Sequence, residues 1–199
     1  VWVKGEAFDS FAEGKVHVVE FWATWCGPCI AAMPHLTELQ KKYPEVVIVG
    51  IAASESRPKE GAPDERLPYL RGFVRGKGDV IGYRVAYASD RTLWNDWMAA
   101  AGRTGIPSSF IVGRDGNIEW MGHPMAMDKP LEQVVSGSWN RDAEAAKSRK
   151  DALIRRKNAE IAPKVAAAMA ASNWDEALSL YDQMLAEVPD HAPTMVNRF

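Results

Sequence analysis

Both cysteines of this 199-residue chain fall in one run, Trp25-Cys26-Gly27-Pro28-Cys29. A pair at this spacing can exchange thiols with a disulfide or give half of a zinc site. Four-coordinate zinc needs two further ligands. No second C-x-x-C exists, and His17, His35, His123 and His191 follow no ligand spacing. Disulfide exchange needs a thiolate, and an unperturbed cysteine of pKa ~8.5 is mostly protonated at neutral pH. A helix N-terminus lowers that pKa through its unpaired N–H groups and dipole. Cys26 is therefore expected to attack and Cys29, one turn further in, to resolve the mixed disulfide. Between them, Gly27 permits an unusual backbone angle, and Pro28 gives up an N–H that the first turn leaves unpaired.

The flanking elements must supply that helix end. Residues 16–22 (VHVVEFW) are β-branched and aromatic and run straight into Gly27-Pro28, the pattern of a buried strand feeding a helix. Ile30, Met33, Leu36 and Leu39 recur at helical spacing, Tyr43-Pro44 closes the helix, and Pro34 inside it predicts a kink. Residues 46–53 (VVIVGIAA) read as a parallel strand covered on both faces, completing a βαβ unit. Residues 54–64 read as loop, 67–76 as helix and 83–88 as a short strand. Leu93, Trp94, Trp97, Met98 and Ala101 predict a helix over 91–102 with Gly102 as its cap. Asp115-Gly116 predicts a hairpin between strands at 108–112 and 117–121, and 128–135 predicts a helix with Asp128 as N-cap and Pro130 in its first turn.

After Trp139 the strand pattern stops and the chain becomes charged and Ala-rich. The expected division is a first domain at 1–138 and an α-helical extension at 139–199. Around Ala177, the stretch from Trp174 to Pro189 resembles the second helix of a tetratricopeptide repeat. Such repeats are stable when stacked, so the helices continue beyond Phe199, pack back on the first domain, or offer a platform to a partner protein.

The run Phe21-Trp22-Ala23-Thr24-Trp25-Cys26-Gly27-Pro28-Cys29 resembles the thioredoxin active site, and the longer pattern resembles the TlpA/ResA branch of that superfamily. The resemblance covers residues 1–138. It implies an α/β fold, a thioredoxin-like mixed sheet with helices on both faces, followed by the all-α segment. Gly105-Ile106-Pro107 resembles the cis-proline loop that faces the cysteines. The resemblance thus implies a cis bond at Pro107 and a backbone at Ile106 that pairs with an extended substrate segment. Trp25 is expected as an apolar rim beside the sulfurs and Trp22 as core. Glu20, six residues before Cys26, stands where thioredoxins carry a buried acid that moves a proton for Cys29; the alternative is an outward, solvated carboxylate. The acid that many of the branch carry three residues after the second cysteine is absent, since Ala32 stands there.

The expected activity is reduction of protein disulfides by the Cys26/Cys29 dithiol, with an upstream thiol reductant and no metal or organic cofactor. One alternative is a thiol peroxidase, but its Thr-x-x-Cys context is missing, because Thr24 lies two residues before Cys26. Another is a scaffold whose helical tail binds a partner while the redox domain positions it. A net charge of -2 gives no footprint for nucleic acid, and no apolar run reaches the ~20 residues of a membrane span. The branch implies an extracytoplasmic bacterial setting, and the start at Val1 fits a chain whose signal or anchor has been removed.

Overall fold

The structure, a computed structural model, describes residues 1–56 and 63–187. It divides into two compact units, Val1–Arg141 and Asp142–Phe199. The first unit is built on a six-stranded sheet in the order β1-β4-β3-β2-β5-β6. Its strands are β1 (Trp2–Lys4), β2 (His17–Trp22), β3 (Val47–Ala52), β4 (Arg84–Tyr87), β5 (Ser108–Val112) and β6 (Ile118–Gly122). β2, β3 and β4 run parallel, while β1, β5 and β6 add antiparallel edges. All six residues of β2 are buried, because β3 and β5 pair with its two edges and side chains cover both faces. An apolar, β-branched sequence is the only kind that such a strand tolerates cheaply.

Three helices cover one face: α1 (Gly27–Lys42), α2 (Arg66–Lys77) and α3 (Asp128–Ser136). Met33, Leu36 and Leu39 of α1, Leu70 and Val74 of α2, and Leu131 and Val134 of α3 close on Val18, Trp22, Ile48 and Ile111 of the sheet. The other face packs Val19, Phe21, Val49 and Phe110 against Met98 and the partly buried Phe8, Phe11 and Trp97. α1 begins where β2 has just ended, with Cys26 as N-cap in an extended conformation and Pro28 in the first turn. Lys41 and Lys42 sit in its last turn, where cations suit the negative helix end.

Several elements differ from the sequence expectation. β1 was not expected, since three residues carry no periodicity; it is held at the edge by pairing Trp2 with Ala86. The helix over 91–102 has widened, π-type turns through Trp94–Ala99, with Ala100 N–H donating to Asn95 O at 3.1 Å; its C-cap is Ala100, and Gly102, expected there, lies in the following turn at φ +64. Asp128 is the first helical residue and not the N-cap, which is Met127. Its carboxylate instead lies 3.0 Å from His35 Nε2. The freedom that Gly27 permits is not used: it is absent from the glycines at positive φ and is an ordinary first helical residue. The loop expected over 54–64 lies partly outside the described residues, and the helix end expected at Pro189 lies wholly outside them.

The second unit is a helical hairpin. α4 (Arg141–Ala170) and α5 (Trp174–Glu187) bury Ile161, Val165 and Ala168 against Ala177 and Met184. Ser172 takes φ +55 in the turn. Asn173 then starts α5: its Oδ1 accepts from Glu176 N–H at 3.3 Å, and its Nδ2 donates to Glu176 Oε2 at 2.8 Å. The first of these bonds satisfies a first-turn N–H that no backbone carbonyl can reach, and the second locks the two side chains together.

Two glycines report on the packing in opposite senses. A Cβ on Gly50 of β3 would stand 3.0 Å from Trp22 Nε1 and 3.1 Å from Tyr83 Cε2, whereas one on Gly72 of α2 would meet nothing. Gly50→Ala is expected to destabilise the chain by about 1–3 kcal/mol. Gly72→Ala should stabilise it by roughly 0.5–1 kcal/mol through helix propensity. Urea midpoints with an unchanged m-value check both, and a neutral Gly50→Ala would contradict the packing described.

Candidate functional site

Cys26 and Cys29 form a disulfide at the head of α1, with Cα atoms 5.2 Å apart. Both are buried, yet Gly27 and Pro28 between them and Trp25 before them are exposed, Trp25 to 59%. The sulfur pair thus sits just beneath an open rim. Cys29 N–H donates to Cys26 Sγ at 3.2 Å, so the N-cap sulfur takes a bond from the first helical turn, where electron density on sulfur is stabilised. Ile30 N–H reaches Cys26 O at 3.0 Å, which starts the helical ladder on the cysteine itself. A Cβ added at Gly27 would meet nothing within 4 Å.

Pro107 is buried and lies one residue before β5, whose first residue Ser108 is the register partner of Phe21 near the end of β2. The register therefore brings Ile106-Pro107 to the end of the sheet from which the cysteine helix departs. The Ile106–Pro107 bond is cis. Ile106 is partly buried and packs against both apolar clusters, including the one that holds Cys26 and Cys29.

Glu20 is 1% exposed, so the outward alternative does not hold. It lies between Val18 and Trp22 on β2, and alternation points it to the face where those two pack with Cys26, Cys29 and Met33. Its register partners are Gly50 and Ser109, neither of which brings a positive charge. Glu20 Oε1, Ser109 Oγ and Trp22 Nε1 have no hydrogen-bond partner among the described residues. Burial without a cation disfavours the carboxylate and pushes the Glu20 pKa up to about 8. Tyr83, buried and facing that carboxyl, is also raised, first by burial and then by Glu20. His17, on the opposite face of β2, is lowered by burial; its ring packs edge-on against Phe11 at 4.9 Å.

Sequence reasoning missed Glu55. It accepts from Thr24 N–H at 2.8 Å and from Thr24 Oγ1 at 2.6 Å, while Ser54 O accepts from Trp25 Nε1 at 2.8 Å. These bonds join positions about thirty residues apart and belong to no spacing that a linear motif records. His35 and His123 serve locally: the first pairs with Asp128, and Nδ1 of the second accepts from Met125 N–H at 3.3 Å. Among the described residues no group of three His, Cys, Asp or Glu side chains is placed to hold a metal ion.

The raised Glu20 has a thermodynamic signature. An acid with an unfolded pKa near 4.5 and a folded pKa of about 8 holds its proton more tightly when folded. Its stabilising contribution is complete below pH ~4.5 and is lost as pH rises to about 8. Wild-type stability should therefore fall between pH 5 and pH 8 relative to Glu20→Gln, by a few kcal/mol at about 1.4 kcal/mol per unit. Urea unfolding at both pH values checks this. Parallel changes in the two proteins would show that Glu20 ionises normally.

The thioredoxin family profile matches residues 1–78. Thioredoxin of Staphylococcus aureus is 56% identical over 81 residues, 39% of this chain and 78% of that protein. Protein FixW of Rhizobium leguminosarum is 27% identical over 194 residues, covering 95% of this chain and 86% of FixW. The thiol-disulfide oxidoreductase ResA of Bacillus anthracis is 29% identical over 106 residues, 53% of each chain. A cysteine pair capping the helix after the central strand, a mixed sheet closed by an antiparallel hairpin, and these relatives lead to one assignment: the chain belongs to the thioredoxin family, among its thiol–disulfide oxidoreductases.

Proposed function

We propose that the chain works as a reductase of disulfides in protein substrates. The observation that carries this reading is the Cys26–Cys29 bond at the start of α1, with Cys26 as N-cap and an exposed Gly27-Pro28 rim. In the reduced state the Cys26 thiolate attacks one sulfur of the substrate disulfide; a Cys26–substrate bond forms and the second substrate sulfur leaves as thiolate. Cys29, as thiolate, then attacks Cys26 Sγ, forming Cys26–Cys29 and releasing the first substrate sulfur. The substrate gains two electrons, which an upstream dithiol returns to the pair by the same exchange in reverse.

Glu20 is the group we assign to proton transfer at Cys29. A pKa of about 8 leaves it able to accept and return a proton near neutrality, and it shares the buried face with that sulfur. Ile106 offers backbone to an extended substrate, Pro107 fixes that loop, and Trp25, Gly27 and Pro28 form the contact rim. The Gly-Pro spacer favours the reducing direction by resemblance to reducing members of the family. Likeness to the TlpA/ResA branch supports a setting outside the cytoplasm; no helix among the described residues is long and apolar enough to cross a membrane. The α4–α5 hairpin, with Trp174 and Leu178 exposed, is our candidate for a partner-binding extension.

Equilibration against dithiothreitol buffers with thiol quantification tests the direction. A potential near roughly -270 mV is expected, whereas one near roughly -120 mV would make the chain an oxidant. Cys26→Ser should abolish insulin reduction, and Cys29→Ser should accumulate a Cys26–substrate mixed disulfide that dithiothreitol releases. Full turnover by Cys26→Ser would overturn the assignment of the attacking sulfur.

A further inference from the structure

The link between β2 and α1 is four residues long, Ala23 to Cys26, and it is fastened from outside by the exit of β3. Glu55, partly buried three residues past β3, spends both carboxylate oxygens on Thr24: Oε1 takes the backbone N–H at 2.8 Å and Oε2 the hydroxyl at 2.6 Å. The preceding carbonyl, Ser54 O, takes the Trp25 indole N–H at 2.8 Å. Within the link, Cys26 N–H closes on Ala23 O at 3.1 Å. Both residues before the sulfur are thus tied to the segment that follows β3. Arg66 hydrogen-bonds to Asp64 through Nε and Nη2 at 2.8 and 2.7 Å, and its charge also acts on Glu55. Hydrogen bonds to an ionised carboxylate are short and about twice as strong as neutral ones, so this clamp fixes the link against that segment.

We propose that Glu55 is a positioning residue for Cys26: through Thr24 it holds the link in the geometry from which the sulfur attacks. This rests on the reading of Cys26 as the attacking thiolate. Attack on a disulfide requires an aligned approach, and a misplacement of about 1 Å can cost on the order of 100-fold in rate. Glu55 touches neither sulfur; it acts on the backbone that carries one of them.

The test uses the whole chain, reduced, against insulin disulfides, with the rate constant followed from pH 6 to pH 10 and the fold checked by near-ultraviolet circular dichroism. Glu55→Ala removes charge and clamp; Glu55→Gln removes the same charge but keeps hydrogen-bonding groups at both positions. Any shift of the pH profile caused by charge is common to both, so the difference between them isolates positioning. Glu55→Ala should lower the high-pH plateau 10- to 100-fold, and Glu55→Gln should recover most of that loss. Thr24→Val, which keeps the N–H bond and loses the hydroxyl, should lose three- to tenfold, with Thr24→Ser restoring it. If Glu55→Ala fails to fold, the Thr24 pair decides alone. A Glu55→Ala plateau within twofold of wild type, or a Thr24→Val rate equal to that of Thr24→Ser, overturns the clamp. A wild-type chain inert towards insulin overturns the reductase reading instead.

Discussion

The rest of the molecule hangs on the way β2 is gripped. It is paired on one side to β3 in parallel and on the other to β5 in antiparallel register, and both its faces are covered. A strand held on four sides cannot slide, since a one-residue slip would turn Glu20 and His17 to opposite faces and expose the wrong side chains. Its end is therefore fixed, and with it the point where α1 starts. The N-cap of α1 is Cys26, so the placement of the reactive pair is inherited from the packing of an apolar strand and not built by the loop alone.

The same sheet gives the first unit an electrostatic polarity. At the cysteine end lies the N-terminus of α1. At the far end, carbonyls that finish helices or follow them are met by donors from elsewhere in the chain. Lys4 Nζ donates to Gly78 O at 3.1 Å and to Ile81 O, and Arg114 donates to Val134 O at 3.1 Å and Val135 O at 2.8 Å. Gln40 Nε2 reaches Val46 O at 2.8 Å, and its Oε1 accepts from Ile48 N–H at 3.0 Å. A cavity of about 710 Å³ opens there, with Lys4 and Arg114, both bonded to carbonyls, on its wall. Cations neutralise one end, and the positive helix end is left facing the sulfurs.

Much of this was legible in the residues. Largely apolar runs gave away β2 and β3, because a strand covered on both faces has no polar side to display. The Asp115-Gly116 turn marked the hairpin, and the apolar spacing after Cys29 marked α1. What stayed hidden was hidden for physical reasons. β1 is short enough that pairing to β4 decides it, not propensity. Asp128 looks like a cap in sequence, but His35, ninety-three residues away, engages its carboxylate. Alternation could not tell whether Glu20 turned in or out, because the argument presumes a solvated face and β2 has none. Glu55 carried no signal at all; its importance comes from where the end of β3 lies relative to Thr24, which only the folded chain specifies.

Gly27 separates two design problems that most buried sites must solve together. It is exposed, its φ is one any residue adopts, and an added Cβ would touch nothing. β2 and the link that leaves it are held by strand pairing, burial and hydrogen bonds on which the fold depends, so change there reaches the whole molecule. The position between the sulfurs carries no such debt. Selection can alter the chemical environment of the pair at that one place, adjusting how readily the bond opens, while the scaffold that presents it is left as it was.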